Sequence, residues 1–189
     1  IDNVRIIDAN DINYQIDGIT AYEWREELDN WKEDVEFTMN YTQVQDLSVI
    51  MVLDESASLG EDFEKVKQYA SSFITNVLAE IPNARIGIVD FADEIHTFPA
   101  TNYKTALINY IASLQQGPFT TLYESVNVGI DMLEDMDAEA KVLLVFTDGT
   151  DNNSDPEFTP TYILDRLNNT TSDVKITSFT IGLEGKGGV

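Results

Sequence analysis

The 189-residue chain is 43% apolar and carries 34 acidic against 11 basic residues, for a formal net charge of −23. It can bury a core for one domain of ordinary size plus an appendage. Its charge argues against binding to nucleic acid or anionic membrane surfaces, which depends on Lys and Arg. The absence of cysteine excludes disulfide and thiol chemistry, and no apolar run is long enough to span a bilayer, so we expect no membrane insertion.

The sequence of residues 1–45 predicts a small N-terminal antiparallel β extension. Strand-like segments at 4–6 and 15–24 precede a polar stretch at 28–34, which we interpret as a turn. Apolar and polar residues then alternate strictly over 35–42, as in a strand with one solvated face. The chain begins at Ile1 without a signal peptide, which suggests a mature or excised part of a longer protein.

Residues 46–189 predict an α/β domain organised around one strand. Residues 47–53 are apolar except for Ser48, the pattern of a strand buried on both faces of a parallel sheet. The strand runs directly into the motif D-E-S-A-S. Ligands of open α/β sheets bind outside the carboxyl ends of the strands. We therefore expect Asp54, Ser56 and Ser58 to face a common hard cation.

The remaining elements alternate along the chain. The sequence predicts helices at about 61–81, from Tyr103, at 122–136 and at 160–167, and strands at 84–91, 94–98, 142–147 and 174–183. Ser58 and Glu61 also fit a capping box for the first helix, so a purely structural role for Ser58 stays open. His96, the single histidine, lies on the predicted edge strand and is interpreted as a surface residue.

A second buried strand also ends in an aspartate. The segment 142–147 is followed by Asp148, so two central strands place a carboxylate at the same edge of the sheet. This coincidence is the strongest indication of a cation site from the residues alone. Oxygen ligands of this kind suit Mg²⁺, Mn²⁺ or Ca²⁺ and not Zn²⁺ or Cu²⁺. We interpret residues 151–155 as a solvated loop at the rim of this site.

The D-x-S-x-S motif, together with Thr120 and Asp148, resembles the metal-ion-dependent adhesion site of von Willebrand factor A domains over roughly residues 46–183. The resemblance implies a Rossmann-like fold, a mostly parallel central sheet flanked by helices. It implies a divalent cation, Mg²⁺ before Mn²⁺ or Ca²⁺, contacted directly by the hydroxyls of Ser56, Ser58 and Thr120. The aspartates Asp54 and Asp148 would often act through water, and an acidic side chain of a partner protein would fill the open position.

The acidic charge, the missing cysteines and the N-terminal β extension favour a bacterial surface or secreted protein, located extracellularly, at the cell surface or in the periplasm. The family also has intracellular members, so a cytosolic location stays open. The chain departs from the family in two places. Pro118 and Phe119 stand between Gly117 and Thr120, where relatives have Gly-Gly-Thr, and a helix cap is an alternative role for Thr120. The sequence also stops where the family continues into further elements, so we expect a truncated domain or another segment that completes the sheet.

Two other functions stay open. One is a structural cation site in a scaffold or stalk protein of a larger surface assembly. The other is a Mg²⁺-dependent phosphatase of the haloacid dehalogenase type, which is disfavoured because Ser56 stands where the general acid would be and no lysine lies near Asp148. We therefore predict a non-enzymatic adhesion or recognition module.

Overall fold

The computed structural model describes three short strands before residue 46 and the continuous chain over 46–182. Contacts between backbone atoms divide the chain into two compact units, Ile1–Gln43 and Val44–Val189. Within the described ranges, no helix combines the length and the apolar character that a bilayer crossing requires.

The N-terminal unit contains a three-stranded antiparallel sheet. Its strands are β1 (Arg5–Ile6), β2 (Ala21–Arg25) and β3 (Asn30–Glu33), in that order across the sheet. The interpretation of 28–34 as a turn is wrong, because β3 pairs along its length with β2. A polar segment can satisfy ladder hydrogen bonds as well as an apolar one, so polarity alone does not identify a turn. The alternating segment 35–42 lies outside the described residues.

The second unit is built on a five-stranded sheet with the order β6-β5-β4-β7-β8. The strands are β4 (Leu47–Asp54), β5 (Arg85–Phe91), β6 (Ile95–Thr101), β7 (Ala140–Thr147) and β8 (Ile176–Gly182). All neighbouring pairs are parallel except β5 and β6, which are antiparallel. The predicted Rossmann-like, mostly parallel sheet is therefore confirmed, and the strand before the D-x-S-x-S motif lies at its centre.

Helices cover both faces of this sheet. They are α1 (Phe63–Glu80), α2 (Lys104–Ser113), α3 (Leu122–Glu134) and α4 (Pro160–Asn168). Met51 and Leu53 of β4 belong to the apolar cluster formed with α1 and α2, whereas Ile50 and Val52 belong to the cluster formed with α3 and α4. This alternation follows from the pleat, which sends successive side chains to opposite faces. It also explains why β4 is apolar at nearly every position.

The first helix begins later than the sequence predicts. Residues Ala57–Asp62 form a 3₁₀ helix, interrupted at Gly60 with φ 52° and ψ −121°, and α1 starts at Phe63. Glycine adopts this positive φ without the steric cost that other residues meet. Ser58 lies inside the 3₁₀ segment, so the Ser58–Glu61 capping box is wrong. By contrast, Thr159 caps α4 through a 3.1 Å hydrogen bond from the N–H of Tyr162, ahead of the proline that opens the helix.

The close packing of α3 on the sheet can be tested at Gly129. A Cβ there would lie 2.8 Å from Cδ1 of Leu143 and 3.0 Å from Cγ2 of Val52, both fully buried. Gly129→Val should lower the free energy of unfolding by about 1–3 kcal/mol, because the core has no room for the added atoms. Urea denaturation measures this loss. Gly149→Val is the matched control, since a Cβ at Gly149 meets no atom within 4 Å, and equal losses would contradict the packing argument.

Candidate functional site

Asp54, the last residue of β4, is fully buried at the carboxyl edge of the sheet. Its Oδ1 accepts a 2.8 Å hydrogen bond from the N–H of Ser56, and its Oδ2 accepts a 2.7 Å hydrogen bond from Oγ1 of Thr147. Thr147 lies beside Asp54 because β4 and β7 run parallel, with Leu53 opposite Phe146. Both carboxylate oxygens are therefore held in place, one from within the loop and one from the neighbouring strand.

Three of the other predicted ligands lie in one chain of contacts. Oγ of Ser56 is 2.9 Å from Oγ of Ser58, and the Ser58 hydroxyl donates to Oδ1 of Asp148 at 3.1 Å. The last contact joins loops that are 90 residues apart in sequence. Burial raises the pKa of Asp148, the negative charge of Asp54 raises it further, and the hydrogen bond from Ser58 partly offsets both. The two aspartates are thus close enough to repel each other, and a cation would relieve that repulsion.

Gly117 ties the loop that leads to Thr120 to the D-x-S-x-S loop. Its carbonyl accepts a 2.8 Å hydrogen bond from the N–H of Ala57, and its N–H donates to the carbonyl of Glu55 at 2.9 Å. Gln116 adds a 3.0 Å side-chain hydrogen bond to the carbonyl of Ser56. A Cβ at Gly117 would lie only 2.6 Å from that of Ala92. This position therefore requires glycine for close approach, even though the family's second glycine is missing.

Thr120 is buried, with 4% of its surface exposed, and its backbone is fixed by Asn152. The Thr120 N–H donates to Oδ1 of Asn152 at 2.9 Å, and its carbonyl accepts from the Asn152 N–H at 3.0 Å. The alternative role as a helix cap is wrong, because the N-cap of α3 is Thr121. Among the described residues, the hydrogen bonds that join Asp54, Ser56, Ser58 and Asp148 do not extend to the Thr120 hydroxyl.

Comparison with known proteins identifies the fold. The sequence profile of the von Willebrand factor type A domain matches residues 48–188. The chain belongs to this family. Such VWA domains are in general adhesion or protein-interaction modules, and they often bind divalent cations. A comparison with curated proteins gave no significant match.

Solved structures similar to this VWA domain include two from bacterial pili. The vWF domain of the type V pili tip protein Mfa5 from Porphyromonas gingivalis is 19% identical with a TM-score of 0.54, over 58% of this chain and 40% of that one. The pilus adhesin SpaC from Lactobacillus rhamnosus GG is 18% identical with a TM-score of 0.51, and the match covers 58% of this chain and 15% of SpaC.

A third similar structure is that of a conserved hypothetical protein, BatB, from Bacteroides thetaiotaomicron. It is 19% identical with a TM-score of 0.55, over 72% of this chain and 66% of that one. The present chain thus spans less than two thirds of each of these three structures. At these identities the likeness establishes the fold alone.

In this VWA domain, the segment from Asp151 to Ser154, here the 151–154 loop, holds the Thr120 loop and caps α3. Oδ2 of Asp151 accepts from the N–H of Tyr123 at 2.9 Å, and Oγ of Ser154 accepts from the N–H of Glu124 at 3.1 Å. Both N–H groups belong to the first turn of α3, where a helix has no acceptors of its own for them. The loop is solvated as predicted, with Asn152, Asn153 and Asp155 exposed, and it also makes structural contacts that the sequence did not indicate.

Asp151 should contribute measurably to stability. Asp151→Ala removes the hydrogen bond to Tyr123 and those from the N–H and Oγ of Ser154, at 3.1 Å and 2.5 Å. Loss of such a cap lowers the free energy of unfolding by about 0.5–2 kcal/mol. Chemical denaturation checks the value, with Asp155→Ala as the control because that side chain is exposed. Equal midpoints for the two variants would show that the 151–154 loop does not cap α3.

Proposed function

We propose that residues 46–182 form a cation-dependent adhesion or protein-recognition module. Asp54, Ser56, Ser58, Thr120 and Asp148 would hold one divalent ion, and the ion would bind a carboxylate of a partner protein. The contact chain from Ser56 through Ser58 to Asp148 carries this proposal. It gathers oxygen atoms from two distant loops at the edge of the sheet where ligands of α/β proteins bind.

The spacing of these oxygens favours Mg²⁺. Adjacent ligands of an octahedral ion with bonds of 2.0–2.1 Å lie roughly 2.9 Å apart, whereas the longer bonds of Ca²⁺ separate them by about 3.3 Å or more. The separation of 2.9 Å between Ser56 and Ser58 matches the smaller value, and the separation of 3.1 Å between Ser58 and Asp148 lies midway between the two. Mn²⁺ and Ca²⁺ remain usable with small movements of the loops.

The hydrogen bonds of Asp54 support an open position on the ion. Both its oxygens already accept hydrogen bonds, from Ser56 and Thr147, so Asp54 would act through water and not as a direct ligand. The serine hydroxyls are neutral, which leaves Asp148 as the one carboxylate of the set that could bind the ion directly, in place of the water-mediated contact that the family resemblance implies. An ion with so little negative charge among its direct ligands would attract a carboxylate from another protein. Adhesion through a bridging ion requires this attraction.

The proposed setting is extracellular or at the cell surface, and the protein would not be an enzyme. The family assignment supports this, since VWA domains are in general interaction modules. Two of the similar structures are named as a pili tip protein and a pilus adhesin. We further propose that the N-terminal β unit of residues 1–45 is a separate extension of the VWA domain.

Mg²⁺ should stabilise the protein through Asp148. At a Mg²⁺ concentration about 100 times the Kd, binding adds about 2.7 kcal/mol to the free energy of unfolding, which raises the Tm by roughly 5–10 °C. Differential scanning calorimetry measures the shift. Asp148→Ala should abolish it and Asp155→Ala should leave it intact. A wild-type protein whose Tm does not respond to Mg²⁺, Mn²⁺ or Ca²⁺ would contradict the proposed site.

Mn²⁺ in place of Mg²⁺ should carry water that exchanges with solvent. We expect the bound ion to enhance the longitudinal relaxation of water protons, and we expect acetate, standing in for a partner's Asp or Glu, to reduce that enhancement. Acetamide is the neutral control and should have no effect. A bound ion without exchangeable water would indicate a site closed by the protein, and the structural scaffold would then replace adhesion as the function.

A further inference from the structure

A second cluster of titratable side chains lies on the opposite face of the sheet, and we call Glu55, Asp90 and His96 the Glu55 cluster. One ligand atom from each residue lies within 4.8 Å of the other two. Asp90 on β5 and His96 on β6 are paired in the antiparallel register, which places their side chains on the same face. Glu55 follows Asp54 directly, and its N–H donates to the carbonyl of Phe91 at 2.9 Å.

The pleat separates this cluster from the site around Asp54. Leu53, two residues before Glu55, belongs to the apolar cluster on the α1 and α2 face. Asp90 is on that face as well, because its Oδ1 accepts a 2.6 Å hydrogen bond from the hydroxyl of Tyr110 on α2. Asp54 and Glu55 are therefore consecutive carboxylates that serve opposite faces of one sheet.

Glu55 is buried without full compensation. Only 7% of its surface is exposed, and its Oε2 has no hydrogen-bond partner in the described part of the chain. Asp90 is 2% exposed. A buried carboxylate is costly unless it is paired or coordinates a metal, so this oxygen points to a missing ligand.

We propose that Glu55, Asp90 and His96 hold a divalent transition-metal ion of the Zn²⁺ class. Zn²⁺ binds carboxylate oxygens and imidazole nitrogens. The imidazole distinguishes this cluster from the all-oxygen set around Asp54, which suits Mg²⁺ or Ca²⁺. Nδ1 of His96 lies 3.5 Å from Oδ2 of Asp90. Two ligands with bonds of 2.0–2.2 Å to one tetrahedral ion lie about 3.4 Å apart, so this pair is already correctly spaced.

The surroundings of the cluster suit such an ion. The hydroxyl of Tyr110 would orient Asp90 from outside the coordination shell, as hydrogen-bonding partners of metal ligands do. The side chain of His96 is 55% exposed, which gives the ion a path from solvent and leaves a fourth position for water. This proposal concerns other residues than the Mg²⁺ site and does not rest on it.

The single histidine makes the proposal directly testable. We would titrate tag-free protein labelled with ¹⁵N-histidine with Zn²⁺ in the presence of excess Mg²⁺, and follow the imidazole nitrogens by NMR and the heat of binding by calorimetry. We expect one equivalent of Zn²⁺ to bind and to shift one ring nitrogen of His96. Co²⁺ in place of Zn²⁺ should give the visible absorption of a tetrahedral ion.

Matched variants separate the cluster from its surroundings. His96→Gln and Asp90→Asn should each weaken Zn²⁺ binding by more than roughly tenfold, since even the loss of an outer-shell partner costs that much. Glu94→Gln is the control, because its carboxylate lies 3.5 Å from the other imidazole nitrogen but does not belong to the cluster. It should leave the affinity unchanged, as should Asp148→Ala.

Two results would overturn the proposal. One is an imidazole spectrum of the wild-type protein that does not change with Zn²⁺. The other is equal Zn²⁺ affinity in the wild type and in His96→Gln. The exposed position of His96 tolerates this substitution, and a ¹H–¹⁵N spectrum of the variant checks that it is folded. Either result would leave the predicted stabilisation by Mg²⁺ untouched, because that stabilisation depends on Asp148.

Discussion

The carboxyl edge of the sheet depends on the buried carboxylate of Asp54. A carboxylate without solvent needs hydrogen bonds to offset its burial, and Asp54 receives them from Ser56 and Thr147. One donor belongs to its own loop and the other to β7, so one side chain fixes the D-x-S-x-S loop against the neighbouring strand. Asp148 follows Thr147 directly. The contact between Ser58 and Asp148 is thus a consequence of how Asp54 is held.

Backbone hydrogen bonds position the rest of the site. Gly117 is bound on both sides to the D-x-S-x-S loop, and Asn152 binds both the N–H and the carbonyl of Thr120. The 151–154 loop also supplies the acceptors that the first turn of α3 lacks. Three loops therefore share one hydrogen-bond network. The network fixes Gly117 and Thr120, the residues on either side of Pro118 and Phe119.

Elements defined by local patterns could be predicted from the sequence, and those defined by distant contacts could not. The apolar run of β4 and the proline after Thr159 identify a buried strand and a helix start without reference to the fold. The cap of α3 comes from Asp151, which is 28 residues from Tyr123, so no local signal reveals it. The late start of α1 depends on the conformation of Gly60, and glycine is compatible with helix and turn alike. For the site, the motif and the aspartate after β7 identify four side chains that the fold brings together, Asp54, Ser56, Ser58 and Asp148, whereas the burial of Glu55 can be recognised only from the sheet.

In the two proposals, the end of β4 would serve two different ions. A shift of one residue moves a side chain to the other face of a sheet, so Asp54 and Glu55 meet unlike surroundings although they are adjacent. Asp54 is near hydroxyls and a second aspartate, which suit a hard cation. Glu55 is near a second carboxylate and an imidazole, which suit a softer one. The net charge of −23 would draw cations of either kind to the protein. Under these proposals, the side chains on each face would select between the two kinds of cation, and the net charge would not.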